Sequence, residues 1–514
     1  MSAVAQSTKS NWRIILTSVR AYEFGIAALA AIALAWAFPK VQQPWLAPVG
    51  AAGLFWAWQR LSWKRAFWVG WFAGTIFFAV SFSWFSYTVG SFVGKLAFLV
   101  VLVPASAEGL AFALAGIGAV LAYRFAPRPL APLAVAAIFT CTEWLRSVGT
   151  LGLPFAQLGY SQASTPLAVF AAYAGTGGVT FVVCTIGAYF AYAIAYRRNR
   201  ELVVALAAIA TAWGCCWLAW PARHAAAPTM RVAAIQGNIP QSIKEVRGSL
   251  PLAIARYVSL TREAAAFSPA FVLWPETVIT TQLNYDLKDI AMFGALAKQL
   301  RTTLVVGSFD YRNGKAYNAL YVFGPGGTLA AIYDKRQPVP FAESFPGKRF
   351  LGFLPDTGLI SDLGSGHVDG VYPTAGLAFA PLICWESAFS DLAHAQLRNG
   401  AQFLAVATDD AWFGETAGPY QHAQIAQLRA IESGTWVVRA AATGKSGIIA
   451  PDGRYIESTH LDRTAIVLGE IGKPPGSLYA HVGPLPIALG LLLAYAVLVL
   501  PGASGMRKGP ERRA

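Results

Sequence analysis

Charge is the scarcest thing in this sequence. Asp, Glu, Lys and Arg make up 13% of its 514 residues, against about 25% in an ordinary soluble protein. With 55% hydrophobic residues, that excludes a disordered chain and an enzyme soluble along its whole length. Acidic residues are the scarcer sign, 26 against 40 basic, for a net charge of +14. The excess does not form a phosphate-binding face. Residues 224–480 hold 21 basic and 21 acidic residues, so the surplus lies among the apolar segments, where positive charge signals membrane topology. No nucleic-acid partner is expected. Internal repeats and low-complexity stretches are missing, which removes solenoid architectures. Cysteine is sparse as well. Cys141, Cys184, Cys215 and Cys216 fall in or beside apolar runs and read as small buried thiols. Cys384 is alone in the hydrophilic region and has no disulfide partner there.

Long apolar runs are what the sequence has in abundance. They occur at about 24–38, 45–58, 67–89, 96–123, 130–146, 166–196, 202–220 and 483–501. Each approaches the length needed to cross a hydrocarbon core of roughly 30 Å. About eight spans are expected, the first reading as an uncleaved anchor. With a cytoplasmic N-terminus, 15 basic residues lie inside and four outside the soluble region on the other face. That split obeys the positive-inside rule. It divides the chain into a membrane domain (1–223, about seven spans), an extracytoplasmic domain (224–480) and a last span with a basic cytoplasmic tail (481–514). The expected location is a bacterial inner membrane, with the middle domain in the periplasm. Glu108 and Glu143 fall within spans. Intramembrane carboxylates are functional candidates by default, but a hydrogen-bonded contact between helices is the expectation here.

From Thr229 short β-rich runs alternate with helical stretches, which predicts an α/β domain. Strands are expected at 231–235, 271–274, 303–308, 317–323, 329–333, 376–383, 403–408, 436–441, 446–450 and 465–469. Helices are expected at about 250–267, 286–300, 386–399 and 419–434. Three strand ends carry chemistry: Glu276 after Trp274-Pro275, Lys335 after Tyr333-Asp334, and Cys384 after Pro381-Leu-Ile383. In an α/β sheet, strand ends are where sites assemble. A carboxylate can take a thiol proton, the thiolate can attack a carbonyl, and an ammonium can stabilise the oxyanion. A helix starting after Cys384 would favour its thiolate through the helix dipole. His367 and His422 could pair with a cysteine, but neither has a recognisable supporting context.

Trp274-Pro275-Glu276, Tyr333-Asp334-Lys335 and Cys384-Trp385-Glu386 resemble the Glu–Lys–Cys motifs of the nitrilase (carbon–nitrogen hydrolase) superfamily. With seven expected spans before the domain and one after, the chain resembles the bacterial apolipoprotein N-acyltransferases over nearly its whole length. Further stretches carry the likeness: Gln236–Gln241, Pro340–Glu343, Asp410–Gly414, Gly418-Pro419 with Gln421-His422, Glu143–Arg146 and Gln157–Gln162. The resemblance implies a multi-pass helical membrane protein carrying a four-layer αββα domain. It implies a catalytic set of Glu276, Lys335 and Cys384, with Glu343, Trp385 and Glu386 in support. Cys384 would take an acyl chain from a phospholipid, typically phosphatidylethanolamine, as a thioester. The amine of a lipoprotein's diacylglyceryl-cysteine would then receive it. No cofactor or metal is expected, and the protein is expected to act as a monomer. Two residues depart from the family pattern: Glu245 stands where tryptophan is expected, and Asp409 where asparagine is.

The segment 341–354 carries Phe341, Phe345, Phe350, Leu351, Phe353 and Leu354 around Lys348 and Arg349. Trp412 and Phe413 lie between Asp410 and Gly414. Both segments are expected to form a lipid-facing lid, as apolar anchors beside basic residues do. A membrane-tethered amidase or esterase using water as acceptor is the alternative. Few buried charges and no repeat argue against a transporter.

Overall fold

The structure is a computed structural model that describes residues 21–221, 227–244, 246, 248–346 and 362–505. Glu245, Lys348 to Leu354 and the basic residues of both termini lie outside the described residues. Residues 21–218 are helical, and two sheets occupy the C-terminal half. Among the described residues, four helices are long and apolar enough to cross a membrane: 94–125, 166–196, 199–218 and 484–504. Shorter apolar helices cover 22–36, 46–58 and 131–145. The helix Trp63–Ser81 is capped by Ser62, whose side chain accepts from the Arg65 backbone N–H, and a shorter helix, Phe85–Val93, follows it. Small residues let these helices close up, as expected where no solvent drives association. A Cβ on Gly74 would sit 2.8 Å from the Gly109 Cα, so the helices Trp63–Ser81 and Leu102–Phe125 meet backbone to backbone.

The C-terminal half is built from strands β1 (Met230–Gln236), β2 (Phe271–Leu273), β3 (Thr303–Arg312), β4 (Lys315–Phe323), β5 (Leu329–Asp334), β6 (Tyr372–Pro373), β7 (Ala378–Ile383), β8 (Phe403–Thr408), β9 (Trp436–Ala441), β10 (Gly447–Ile449), β11 (Tyr455–Ser458) and β12 (Ala465–Ile471). They form two six-stranded sheets, ordered β12-β1-β2-β3-β4-β5 and β11-β10-β9-β8-β7-β6. Alternation along β1 shows how the layers arise. Val232 and Ala234 face the second sheet, in a core with Phe379, Phe403 and Val438. Ala233 and Ile235 face outward onto Tyr257 and Leu296, which lie on the helices Leu250–Ala264 and Leu287–Leu300. Ser390–Arg398 and Gly418–Ser433 cover the second sheet in the same way. The result is helix, sheet, sheet, helix. The short strands β6 and β11 escape the sequence reading. The helix expected at 386–399 starts only at Ser390.

The domain rests on the membrane helices through polar contacts as well as apolar ones. Gln421 accepts from the Trp84 indole N–H at 3.1 Å and donates to the Ser81 carbonyl at 3.0 Å. Arg429 donates to the Tyr160 hydroxyl at 2.9 Å, and Glu432 accepts from the Thr176 hydroxyl at 3.0 Å. Trp385 stacks on Phe155 with ring centroids 5.3 Å apart. The turn that carries Cys384 is therefore seated on the helical base.

Candidate active site

Each of the three chemically active residues leaves the end of its strand at a turn that its neighbours fix. Glu276 follows β2, and the chain turns so closely over β3 that a Cβ on Gly307 would lie 2.1 Å from the Pro275 carbonyl oxygen. Only glycine leaves that space. Lys335 follows β5, and its backbone N–H donates to the Asn318 carbonyl at 2.8 Å. Cys384 follows β7 with φ +49, a left-handed conformation uncommon for a residue with a side chain and held only by its surroundings.

The buried Lys335 ammonium donates to Glu276 Oε1 at 2.9 Å and to Glu343 Oε1 at 3.0 Å. Asn318 Nδ2 donates to the same two oxygens, at 2.7 and 2.9 Å. The other Glu276 oxygen accepts from the Asp409 backbone N–H at 2.9 Å. Glu343 Oε2 accepts from the Val339 N–H at 2.8 Å. Burial alone would lower the Lys335 pKa, but the Glu276 and Glu343 carboxylates outweigh it and hold it well above the usual lysine range. Lys335 is thus a fixed cation.

The Cys384 thiol behaves otherwise. Burial, then the Glu276 charge, push its pKa well above the usual thiol range, against the pull of Lys335. This overturns the expectation of a dipole-stabilised thiolate. The segment after Cys384 is a single 3₁₀ turn, Cys384–Ala388, too short to supply a helix dipole. The thiol thus favours its neutral form, in electrostatic reach of Glu276 and Lys335, and would need a base to act as a nucleophile.

Glu386, fully buried, ties the Cys384 turn to the Lys335 turn. It accepts from the Ile383 N–H at 2.7 Å and the Tyr333 hydroxyl at 3.1 Å, and also from the Arg336 N–H. Burial raises its pKa to about 7 against those donors. Trp385 packs toward the membrane base on Phe155. Asp409 forms an ion pair with Lys244, which neutralises the extra charge of that departure.

The aromatic residues of the expected lid separate. Phe341 is 55% exposed, and its ring lies 6.3 Å from that of Phe345. Trp412 is 38% exposed. Phe413 is buried, 4.8 Å from Trp84, and belongs to the contact with the helical base. Sequence reasoning missed Asn318, which has no motif around it. It also set aside His422, which is buried against Asp410 and the Cys384 turn. Asp410 and His422 do lie in stretches that carry the family likeness, the one signal that could have found them.

Two sheets in four layers, with a carboxylate, an ammonium and a thiol at converging strand ends, define a carbon–nitrogen hydrolase domain, and residues 231–473 match the family model described as carbon-nitrogen hydrolase. Residues 30–189 match the model described as the apolipoprotein N-acyltransferase N-terminal domain. The apolipoprotein N-acyltransferase of Coxiella burnetii is 31% identical over 448 residues, 84% of this chain and 90% of that relative. That of Pseudomonas aeruginosa strain UCBPP-PA14 is 32% identical over 497 residues, 92% and 94% of the two chains. That of Photobacterium profundum is 28% identical over 461 residues, 86% and 88%. The chain belongs to the apolipoprotein N-acyltransferase family, bacterial membrane acyltransferases of the carbon–nitrogen hydrolase superfamily.

Proposed function

We propose that the chain moves an acyl chain from a phospholipid, with phosphatidylethanolamine as the expected donor, through a Cys384 thioester to the amine of a lipoprotein's diacylglyceryl-cysteine. The observation that carries this reading is a buried thiol in electrostatic reach of a carboxylate ion-paired to a buried ammonium, on a turn seated on apolar helices. Glu276 takes the thiol proton as Sγ attacks the ester carbonyl. The Lys335 ammonium stabilises the tetrahedral oxyanion. The intermediate collapses, and the lysophospholipid oxygen leaves with the proton from Glu276. In the second half, the amine attacks the thioester while Glu276 accepts its proton. The carbon–sulfur bond breaks, and the thiol is restored. Glu343 shares the Lys335 charge, Glu386 fixes the nucleophile turn, and Trp385 anchors that turn to the base.

The 15-to-4 distribution of basic residues supports eight spans, cytoplasmic termini and a periplasmic domain over 224–480. Exposed Phe341 and Trp412, with Phe345, supply apolar contacts to lipid beside the site. The protein is proposed to act as a monomer without cofactor.

Intact-mass spectrometry tests the first half-reaction. Wild type incubated with phosphatidylethanolamine is expected to gain one acyl chain, labile to hydroxylamine, while Cys384→Ala gains none. No adduct and no lysophospholipid would sink the reading. Lysophospholipid with free fatty acid and no N-acylated product would make water the acceptor.

A further inference from the structure

Behind the nucleophile turn lies a chain of charged groups that the acyl-transfer steps do not use. His422, Asp410 and Arg439 are each at most 1% exposed. His422 Nδ1 stands 2.9 Å from Asp410 Oδ1, and Arg439 Nη2 donates to Asp410 Oδ2 at 2.7 Å. The Thr408 hydroxyl donates to Asp410 Oδ1 at 2.9 Å. A Cβ on Gly444 would lie 2.2 Å from Asp410 Oδ2, so only glycine at 444 leaves room for the carboxylate. On the far side of the ring, Nε2 lies 2.9 Å from Ser387 Oγ and 3.1 Å from the Cys384 carbonyl oxygen. Ser387 Oγ is itself 2.8 Å from that carbonyl.

Charge decides which nitrogen does what. Burial would raise the Asp410 pKa, but the Arg439 charge and the hydrogen bonds from His422 and Thr408 hold it down to about 2. An ionised carboxylate only accepts, so Nδ1 carries the hydrogen facing it. Burial and Arg439 lower the His422 pKa, so Nε2 is left as the acceptor facing the Ser387 hydroxyl, and the ring meets the Cys384–Ser387 turn through Ser387. Asp410 directly follows Asp409, whose backbone N–H donates to Glu276. One buried chain therefore reaches the left-handed turn at Cys384 from behind and ends one residue from a backbone partner of Glu276.

We propose that His422 is a positioning residue for acyl transfer, oriented by Asp410 through Nδ1 and holding the Cys384–Ser387 turn through Nε2. This rests on Cys384 being the nucleophile. A strained turn needs such a brace, since about 1 Å of misplacement costs on the order of 100-fold in rate.

Two amide substitutions separate positioning from mere filling of the core. Glutamine places its amide near Nε2, and asparagine places its amide near Nδ1. Thioester formation is read by single-turnover intact mass, with kcat, KM for phosphatidylethanolamine and melting temperature alongside. His422→Asn is expected to lose about 100-fold in thioester rate and kcat. His422→Gln stays within about tenfold of wild type, the scale of one hydrogen bond. KM is unchanged in both. Three results would overturn the proposal: Asn rescuing better than Gln, both variants reacting like wild type, or both losing equally with a matching fall in melting temperature. A wild-type protein that never takes up an acyl chain would instead overturn the assignment of Cys384, and this proposal with it.

Discussion

The helical base and the α/β domain both bury charge, and they complete it differently. In the base, Arg146 donates to Glu108 at 3.1 Å and to the Phe155 carbonyl at 3.0 Å. Glu143 accepts from the Leu158 N–H at 3.1 Å and the Thr180 hydroxyl at 3.0 Å. Both carboxylates are spent on an arginine, a backbone group or a hydroxyl of the bundle itself, the contact role expected from the sequence. In the domain, Lys335 is shared by two carboxylates, and Glu276 holds three donors beside a thiol that keeps its proton. A carboxylate has about four lone-pair sites, so Glu276 retains one acceptor position for that proton. The buried carboxylates of the base face partners of the bundle itself, whereas Glu276 faces a thiol as well.

The contrast breaks most readily at the base of the reaction. Glu276→Gln keeps the hydrogen-bonding shape and loses the proton acceptor. Its kcat is expected to fall about 10²–10⁴-fold with the melting temperature little changed. A rate within a few-fold of wild type would mean another group takes the thiol proton.

Arg146→Met tests the other region. It leaves Glu108 and Glu143 buried without their cation, a loss of about 3–5 kcal/mol when a buried pair is broken on one side. Thermal unfolding in detergent is expected to register that loss, while thioester rate per folded molecule holds. A rate that fell with stability intact would move these residues from scaffold to chemistry.

The smallest expected effect is one of pH. The folded Glu386 pKa of about 7 lies above its ordinary value of 4.5, so the folded state keeps a proton that the unfolded state releases. That contribution is complete below 4.5 and is lost as pH rises through 7. Wild-type stability is expected to decline over this window relative to Glu386→Gln, in which no proton can leave. Parallel unfolding profiles from pH 4.5 to 7.5 would show that Glu386 keeps an ordinary pKa.

Much of this was legible from local signals. A run of twenty apolar residues reads as a helix in lipid wherever it folds, because its backbone must bond to itself. The strands β8 and β9 were readable to the residue, since a short, mainly apolar, β-rich run between turn residues has few other solutions. Glu276, Lys335 and Cys384 were legible as strand-end residues, because each lies within three residues of the end of its own strand. Local sequence also misled. Trp385 and Glu386 suggested a helix start, but Glu386 bonds back to Ile383 and across to Arg336, drawing the segment into a single tight turn.

What the sequence by itself determined was composition, helix and strand periods, charge asymmetry and the strand-end residues, all of them properties of neighbours along the chain. Only the tertiary structure decided that Asn318 bridges Glu276 and Glu343, that the Cys384 thiol stays protonated, and that His422 stands behind it. Those outcomes depend on burial and on charges separated by tens to hundreds of residues, and Coulomb and desolvation energies are set by distance in space, to which sequence separation is blind.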